Sequence, residues 1–191
     1  MSVDRLEEAF AATREILAAV DPADYGGPTP CASWTVRDVA NHVVEGANWF
    51  GLCVNGRAAP DPDPTHGVDY AAGDLLGAFD EGVAGTLAAF RSPGALEDLI
   101  TLPFGELPGS VFLNIATDDV FVHGWDLARA TGQDVTFDEA MAAGLLADIQ
   151  LIVADEMRGP DGSGAPFGPR VDPPAGASSV EQLMAFLGRA A

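Results

Sequence analysis

The possible folds of this chain are constrained most by one long apolar segment. This segment carries three carboxylates and a histidine. The segment reads VFLNIATDDVFVHGWDLARATG and covers residues 111–132. It predicts a helix that ends at Thr131-Gly132, because glycine is common just past a helix C-terminus. Successive helical residues differ by about 100°, so residues four apart share a face. Asp119 and His123 should therefore point in the same direction.

The helix face shared by Asp119 and His123 is otherwise mostly apolar, so it should face a protein core. Its other members are Phe112, Ile115, Ala116, Val122, Asp126 and Ala130. A lone ionised aspartate in a core is costly unless it is paired or bound to a cation. A buried hydrogen-bonded pair and a divalent metal site both satisfy this condition. Asp118 lies off this face, and we expect it to be solvated.

A metal site needs a further ligand from another helix, and the chain has three histidines. His66 lies in the polar loop at 55–67, where a solvent-exposed position is the simpler expectation. His42 lies on a helix predicted over 35–53, about 120° from the centre of its main apolar face. That flank could face the interior of a helical bundle. His42 is thus the better candidate, although a single helical histidine is more often a structural, hydrogen-bonded residue.

Helical periodicity and capping signals predict five or six helices and little strand. The helices are expected at residues 2–20, 35–53, 71–91, 108–131, 136–158 and, after a Gly/Pro loop at 159–178, at 180–190, where Ser178 and Glu181 cap the start. Thr35 with Asp38 and Thr136 with Glu139 show similar start signals. Residues 96–109 should be short and extended, with a turn at FGELPG. We expect an all-α, bundle-type fold with residues 1–191 in a single domain.

Charge and composition exclude several classes of partner. The net charge is −20, from 29 acidic and 9 basic residues, and such a surface repels nucleic-acid phosphates and anionic lipids. No apolar run approaches the roughly 18–20 residues that span a bilayer, and MSVDRLEEAF lacks the core of a signal peptide. We expect a cytoplasmic protein. Cys31 and Cys53 flank a predicted helix, too far apart for a disulfide between them.

Three segments together resemble a known family. They are PTPCASWTVRDVANHVVEGANWF (28–50), LPFGELPGS (102–110) and DDVFVHGWDLARATGQ (118–133). They are similar to the mycothiol-dependent maleylpyruvate isomerase N-terminal domain family, within the DinB/YfiT-like metal-binding superfamily. The resemblance covers almost the whole chain and implies a DinB-like four-helix bundle, here with an extra C-terminal helix after the long Gly/Pro loop.

The resemblance also implies a metal site, whose ligands fall on His42, Asp119 and His123. Many relatives carry histidine or glutamate where this chain has Asp119, and aspartate is one methylene shorter than glutamate. With nitrogen and oxygen ligands we expect zinc, and nickel is compatible. Asp38 and Asp126 each lie about one turn from a ligand histidine and are candidates to orient it.

These ligands lead us to expect a metalloenzyme that activates a low-molecular-weight thiol, such as mycothiol. Three protein ligands leave a coordination position open, as in catalytic sites. The reaction would be thiol transfer to a small electrophilic substrate or isomerisation of that substrate. Trp125 and Arg129 could line the approach, and a packing role and a surface salt bridge fit them equally well.

The alternative is a non-catalytic bundle protein that holds a metal, or a small ligand under the loop at 159–178. The isomerase has an additional C-terminal domain that contributes to its active site, so maleylpyruvate isomerisation itself is not expected of this chain. The sequence leaves the substrate, the thiol and the oligomeric state open, and a homodimer is compatible with it.

Overall fold

A computed structural model describes residues 2–32, 34–57, 67–160 and 163–190. Within these ranges six α-helices dominate, which confirms the all-α prediction. The helices are α1 (Val3–Ala18), α2 (Val36–Val54), α3 (Leu75–Phe90), α4 (Gly109–Ala130), α5 (Glu139–Ile152) and α6 (Ser179–Phe186); the strands are β1 (Leu99–Leu102) and β2 (Gly105–Pro108). His66 and most of its loop lie outside the described residues.

Two of the predicted helix starts are confirmed by reciprocal caps. The Thr35 amide donates to Asp38 Oδ2 at 2.8 Å, and the Asp38 amide donates to Thr35 Oγ1 at 3.3 Å. The amide of Ser178 donates to Glu181 at 2.7 Å, and the amide of Glu181 donates to Ser178 Oγ at 3.2 Å. Each pair satisfies two backbone donors that a helix N-terminus otherwise leaves unpaired.

The third predicted start is displaced. Asp138, not Thr136, caps α5, because its Oδ1 accepts the amides of Ala140 at 2.8 Å and Met141 at 2.9 Å. The helix ends at Ile152 and is followed by a short 3₁₀ turn at Asp155–Met157. The predicted helix at 136–158 was therefore too long at both ends.

Helices α1 to α4 form a four-helix bundle in which α1 packs on α3 and α4, and α2 packs on α3 and α4. The α1–α4 contact is close because Gly124 has no side chain: a Cβ there would lie 2.5 Å from Thr13 Oγ1. The Thr13 hydroxyl donates to the carbonyl of Val120 at 3.0 Å across the same contact. Where α1 contacts α3, the rings of Phe10 and Phe79 meet edge to face.

The segment between α3 and α4 is an antiparallel hairpin. Leu99 pairs with Pro108 and Leu102 pairs with Gly105. Its turn lies at 103–104, so most of the predicted FGELPG turn is strand β2. Gly105 has a φ of 137°, which a residue with a side chain rarely adopts, and it begins the return strand directly after the turn.

Helices α5 and α6 pack on each other, and α5 also contacts α4. The Gly/Pro segment at 159–178 precedes α6, and the chain then folds back so that Arg189 reaches α4. Cys31 and Cys53 are not joined by a disulfide. None of the helices in the described ranges has the length and hydropathy needed to span a bilayer.

Candidate metal centre

Helices α2 and α4 bring His42, Asp119 and His123 together where the two helices pack on each other. The Nε2 atom of His42 lies 3.2 Å from Asp119 Oδ1, although the two residues are 77 positions apart. The Nε2 atom of His123 lies 3.6 Å from the same oxygen. One potential ligand atom from each residue falls within 4.8 Å of the others. Two imidazole nitrogens and one carboxylate oxygen therefore converge on one point.

The polar atoms of this cluster fit a cation. His42 and His123 are 7% and 8% exposed, and among the described residues the buried Asp119 Oδ2 has no hydrogen-bond partner. A buried carboxylate oxygen without a partner carries a desolvation cost that a bound cation would remove. Nitrogen and carboxylate donors are those that zinc and similar divalent ions take in proteins.

Asp126 holds His123 from the side away from the cluster. Its Oδ2 lies 3.0 Å from His123 Nδ1, and a carboxylate can only accept, so Nδ1 carries the proton. The Nε2 atom of His123 then keeps its lone pair on the side of Asp119. This arrangement is the common one for a histidine that ligates a metal, in which the second ring nitrogen donates to a carboxylate.

Arg189 pairs with Asp126 through two hydrogen bonds. Its Nη2 donates to Asp126 Oδ2 at 2.9 Å and its Nε donates to Oδ1 at 3.2 Å. Asp126 is fully buried and Arg189 is 9% exposed. Burial alone would raise the pKa of Asp126, but the charge of Arg189 and the contact with His123 bring it below its usual value. Sequence reasoning missed Arg189, because it lay within the predicted last helix, VEQLMAFLGRA, whereas in the structure α6 ends at Phe186 and Arg189 follows it.

The charges inside the cluster favour the protonation states that a metal ligand needs. Burial alone would raise the pKa of Asp119, but the contact with His42, which includes a hydrogen bond, and the nearness of His123 lower it below its usual value. Burial lowers the pKa of His123, against the opposing effects of Asp126 and Asp119. Near neutral pH, Asp119 is thus an anion and His123 is a neutral imidazole, the forms that bind a cation.

Trp34 covers one side of both imidazoles. Its ring centroid lies 4.7 Å from that of His42 and 5.5 Å from that of His123, where the two rings are stacked. The residue immediately precedes the Thr35 cap, so the start of α2 fixes its position. An aromatic ring there limits water access to the two histidines and lowers the polarity around them.

The prediction that Asp118 is solvated was wrong. Its side chain is buried, its residue exposure is 8%, and its Oδ1 has no hydrogen-bond partner among the described residues. Burial and the neighbouring charge of Asp119 raise the pKa of Asp118 to about 7. The helical wheel was misleading because α4 contacts α1, α2, α5 and the hairpin, which cover most of its circumference.

The other sequence candidates have different places in the structure. The carboxylate of Asp38 accepts from the Thr35 amide and hydroxyl, and the Nδ1 atom of His42 has no hydrogen-bond partner in the described part of the chain. The structure thus brings Asp126, but not Asp38, to a candidate ligand histidine.

Arg129 and Trp125 lie away from the candidate centre. The guanidinium of Arg129 lies 5.6 Å from the centroid of the Trp125 ring. Both residues line a groove with residues 133–137 and the start of α6, and none of the three candidate ligands lines this groove.

Cys31 is a second residue that sequence reasoning did not connect to the site. One potential ligand atom each from Cys31, His123 and Asp126 lies within 4.8 Å of the others. This group is a poorer cation site than the first, because Asp126 is already bound to the positively charged Arg189. It does place a half-buried thiol beside the candidate centre.

Comparisons with known proteins bear on the family and the fold of this chain. Residues 6–128 match the model of the mycothiol maleylpyruvate isomerase N-terminal domain, a range that ends inside α4. Two uncharacterised proteins of Mycobacterium tuberculosis, one from strain ATCC 25618 / H37Rv and one from strain CDC 1551 / Oshkosh, are each 38% identical to this chain over 194 residues. Each alignment covers 99% of this chain and 96% of the relative.

Solved structures show the same fold. Crystal structures of the mycothiol-dependent maleylpyruvate isomerase and of a histidine-to-alanine mutant of it each superpose with a TM-score of 0.55 and 22% sequence identity. The match covers 77% of this chain and 67% of the isomerase. The chain therefore shares a DinB-like helical bundle with that enzyme.

Proposed function

Because this chain belongs to the mycothiol maleylpyruvate isomerase N-terminal domain family, we propose that it is a metal-dependent enzyme that uses a low-molecular-weight thiol. Mycothiol is the first candidate for the thiol, and the partner substrate is a small electrophile. The reaction is transfer of the thiol to that substrate or isomerisation of it. The observation that carries this proposal is the convergence of His42, Asp119 and His123 on one point.

In this proposal His42, Asp119 and His123 hold a divalent ion, with zinc as the first candidate and nickel as a compatible one. Three protein ligands would leave a coordination position for the thiol. Such an ion supplies Lewis acidity and lowers the pKa of a thiol that binds it. The unpartnered Asp119 Oδ2 and the proton-free Nε2 of His123 support this set of ligands.

The remaining residues around the centre orient the ligands and exclude water. Asp126 accepts the Nδ1 proton of His123 and so fixes both the tautomer and the ring plane. Trp34 covers the two imidazoles on one side. The side chain of Asp119 is 23% exposed, more than either histidine, which favours an approach of thiol and substrate past this carboxylate.

The first experiment is a metal analysis of protein purified without a chelator. Wild type should contain close to one equivalent of zinc or nickel, and His42→Ala should contain much less. His66→Ala is the matched control, since it removes a histidine that the proposal does not use, and it should retain the metal. A wild type without metal, or a His42→Ala variant that keeps it, would falsify the ligand assignment.

The second experiment separates an enzyme from a binding protein. The metal-loaded protein is incubated with mycothiol and a panel of electrophiles, including activated alkenes and cis-configured unsaturated acids, and loss of free thiol and change of double-bond geometry are followed. Turnover that His42→Ala abolishes supports the enzyme. Stable metal binding with no turnover, and with no exchangeable ligand at the metal, supports the non-catalytic alternative.

A further inference from the structure

Arg189, near the end of the described chain, contacts Asp126 beside the candidate metal centre, although it lies far from α2 and α4 in the sequence. Arg189 lies 63 residues after Asp126 and beyond the range 6–128 that matches the family model. Arg189 is 9% exposed, and its guanidinium makes two hydrogen bonds to a carboxylate that is fully buried. A buried charge pair of this kind needs a close geometric fit to offset its desolvation cost.

We propose that Arg189 is a positioning residue for the metal centre and that it acts through Asp126 on His123. This inference rests on the proposed metal site. Asp126 Oδ2 is shared by two donors, Arg189 Nη2 at 2.9 Å and His123 Nδ1 at 3.0 Å. The planar fork of Arg189 therefore fixes the plane of the carboxylate to which the imidazole is bound.

Charge and shape both require an arginine at this position. Without Arg189, the buried Asp126 would lose the two charge-assisted hydrogen bonds that hold the plane of its carboxylate against the Nδ1 proton of His123. A lysine could restore the charge, but only as a single point contact, so it could not hold both carboxylate oxygens. The wild-type pair thus sets which nitrogen of His123 is protonated and in which direction the other one points.

The backbone around Arg189 positions this side chain towards Asp126. The chain turns directly after α6 at Gly188, whose φ is 87° and at which a Cβ would lie 2.9 Å from the carbonyl oxygen of Pro169. Beyond the turn, Arg189 Nη1 donates to the carbonyl of Leu187 at 3.1 Å. This self-contact restricts the guanidinium before it meets Asp126. The loop before α6 and the turn after it therefore both bear on the position of His123.

The inference is tested first in metal-free protein, by the ¹⁵N spectrum of the histidine rings. In wild type, His123 should show a protonated Nδ1 and a proton-free Nε2. In Arg189→Gln, a mixture of tautomers is expected, and in Arg189→Lys partial recovery of the wild-type state. Arg129→Gln is the matched control, because it removes an exposed arginine from α4 itself. An unchanged His123 signal in Arg189→Gln would overturn the inference.

The second readout is zinc affinity, measured by competition with a chromophoric chelator. Arg189→Gln should bind zinc about 10- to 100-fold more weakly, the loss typical when a residue behind a metal ligand is removed. The effect should nearly vanish when Asp126→Asn is already present, because Arg189 acts through Asp126. A loss of the same size in both backgrounds would mean that Arg189 only stabilises the fold, and would overturn the inference.

The two proposals fail in different ways. If wild type binds no metal, the proposed function is wrong, while the tautomer of His123 in the metal-free protein still decides the role of Arg189. If zinc binds and Arg189→Gln changes neither the tautomer nor the affinity, the metal centre stands and the role of Arg189 is wrong. Should Arg189→Gln fail to fold, Arg189→Lys carries the same comparison, with an expected affinity between those of wild type and Asp126→Asn.

Discussion

The indole ring of Trp34 packs 4.7 Å from the imidazole of His42, so the residue just before the α2 cap forms part of the wall of the candidate metal centre. The same indole stacks on His123, which belongs to α4. A single half-buried aromatic side chain thus contacts both candidate ligand helices. Its loss should affect solvent access to the centre more than the geometry of the ligands.

We therefore expect Trp34→Ala to release zinc to a chelator about tenfold faster than wild type, since the apolar shell of a metal site controls its access to water. Trp34→Phe is the control and should stay close to wild type, because it keeps a flat apolar ring. Stopped-flow transfer of zinc to a chelator measures the rates. Equal rates for the alanine variant and wild type would contradict a shielding role for Trp34.

Asp119 should be sensitive to charge more than to length. Asp119→Asn removes the negative charge but keeps the shape of the side chain. We expect zinc affinity to fall by at least 10- to 100-fold, which is the typical loss when a residue that hydrogen-bonds a metal ligand is removed. Asp119→Glu keeps the charge and should retain most of the affinity, although its longer side chain must fit beside α2. Calorimetric titration of zinc into the metal-free variants measures both. The reverse order of affinities would exclude Asp119 as a charged ligand.

The buried pair of Asp126 and Arg189 predicts a specific dependence of stability on pH. The pKa of Asp126 in the folded protein lies below its unfolded value because of Arg189. Its ionised form therefore stabilises the fold above the unfolded pKa, near 3.9, and this contribution is lost as the pH falls through the folded pKa.

At neutral pH we expect Asp126→Asn to lower the free energy of unfolding by about 3–5 kcal/mol, the usual cost of breaking a buried ion pair. The difference from wild type should shrink as the solution is made acidic below the unfolded pKa. Urea unfolding of metal-free protein at a series of pH values provides the measurement. A difference that stays constant down to the acid-unfolded state would show that the Asp126 charge makes no contribution.

The N-terminal caps of α5 and α6 can be tested by their effect on the stability of the protein. Ser178→Ala should cost about 1 kcal/mol of stability, because it removes the acceptor of the Glu181 amide at the start of α6. Thr136→Ala is the matched control, since the structure gives the cap of α5 to Asp138, and it should change the stability little. Thermal unfolding of both variants decides which residues are caps.

Two glycines in helices should respond to alanine with opposite signs. At Gly124 a Cβ would lie 2.5 Å from Thr13 Oγ1, so Gly124→Ala should push α1 and α4 apart and cost about 1–3 kcal/mol. At Gly85 on α3 nothing lies within 4 Å of a Cβ, and Gly85→Ala should stabilise the protein by about 0.5–1 kcal/mol. Denaturant midpoints compare the two, and a stabilising Gly124→Ala would contradict the close packing of α1 on α4.

The helices could be predicted from the sequence because their information is local. Periodicity and the caps at Thr35 and Ser178 fixed the starts of α2 and α6 to within a residue or so. The start of α5 was misplaced because Thr136 and Asp138 are both good cap residues, and the sequence does not say which one the preceding loop presents. The hairpin turn was also misplaced, because the sequence FGELPG does not show that the turn precedes Gly105 and that Gly105 already begins β2.

The candidate site could be predicted only in part. The shared face of Asp119 and His123 follows from their spacing. His42 was a candidate from its position on the flank of its helix, and the family resemblance then implied that it joins the other two. Their role as metal ligands stays a prediction, although the structure brings all three together. The burial of Asp118 and the contact of Arg189 with Asp126 depend on how distant elements cover α4, and a helical wheel of α4 does not contain that information.

The contact between His42 and Asp119 also has a topological consequence. A bound ion would be a cross-link between positions 77 residues apart, and α3 and the hairpin lie inside the loop that it closes. By the chain-entropy argument used for disulfides, closing a loop of this length removes about 4–5 kcal/mol of conformational freedom from the unfolded chain. The ion would then act as a reversible cross-link, and its availability would set the stability of the folded chain as well as the reactivity of the site.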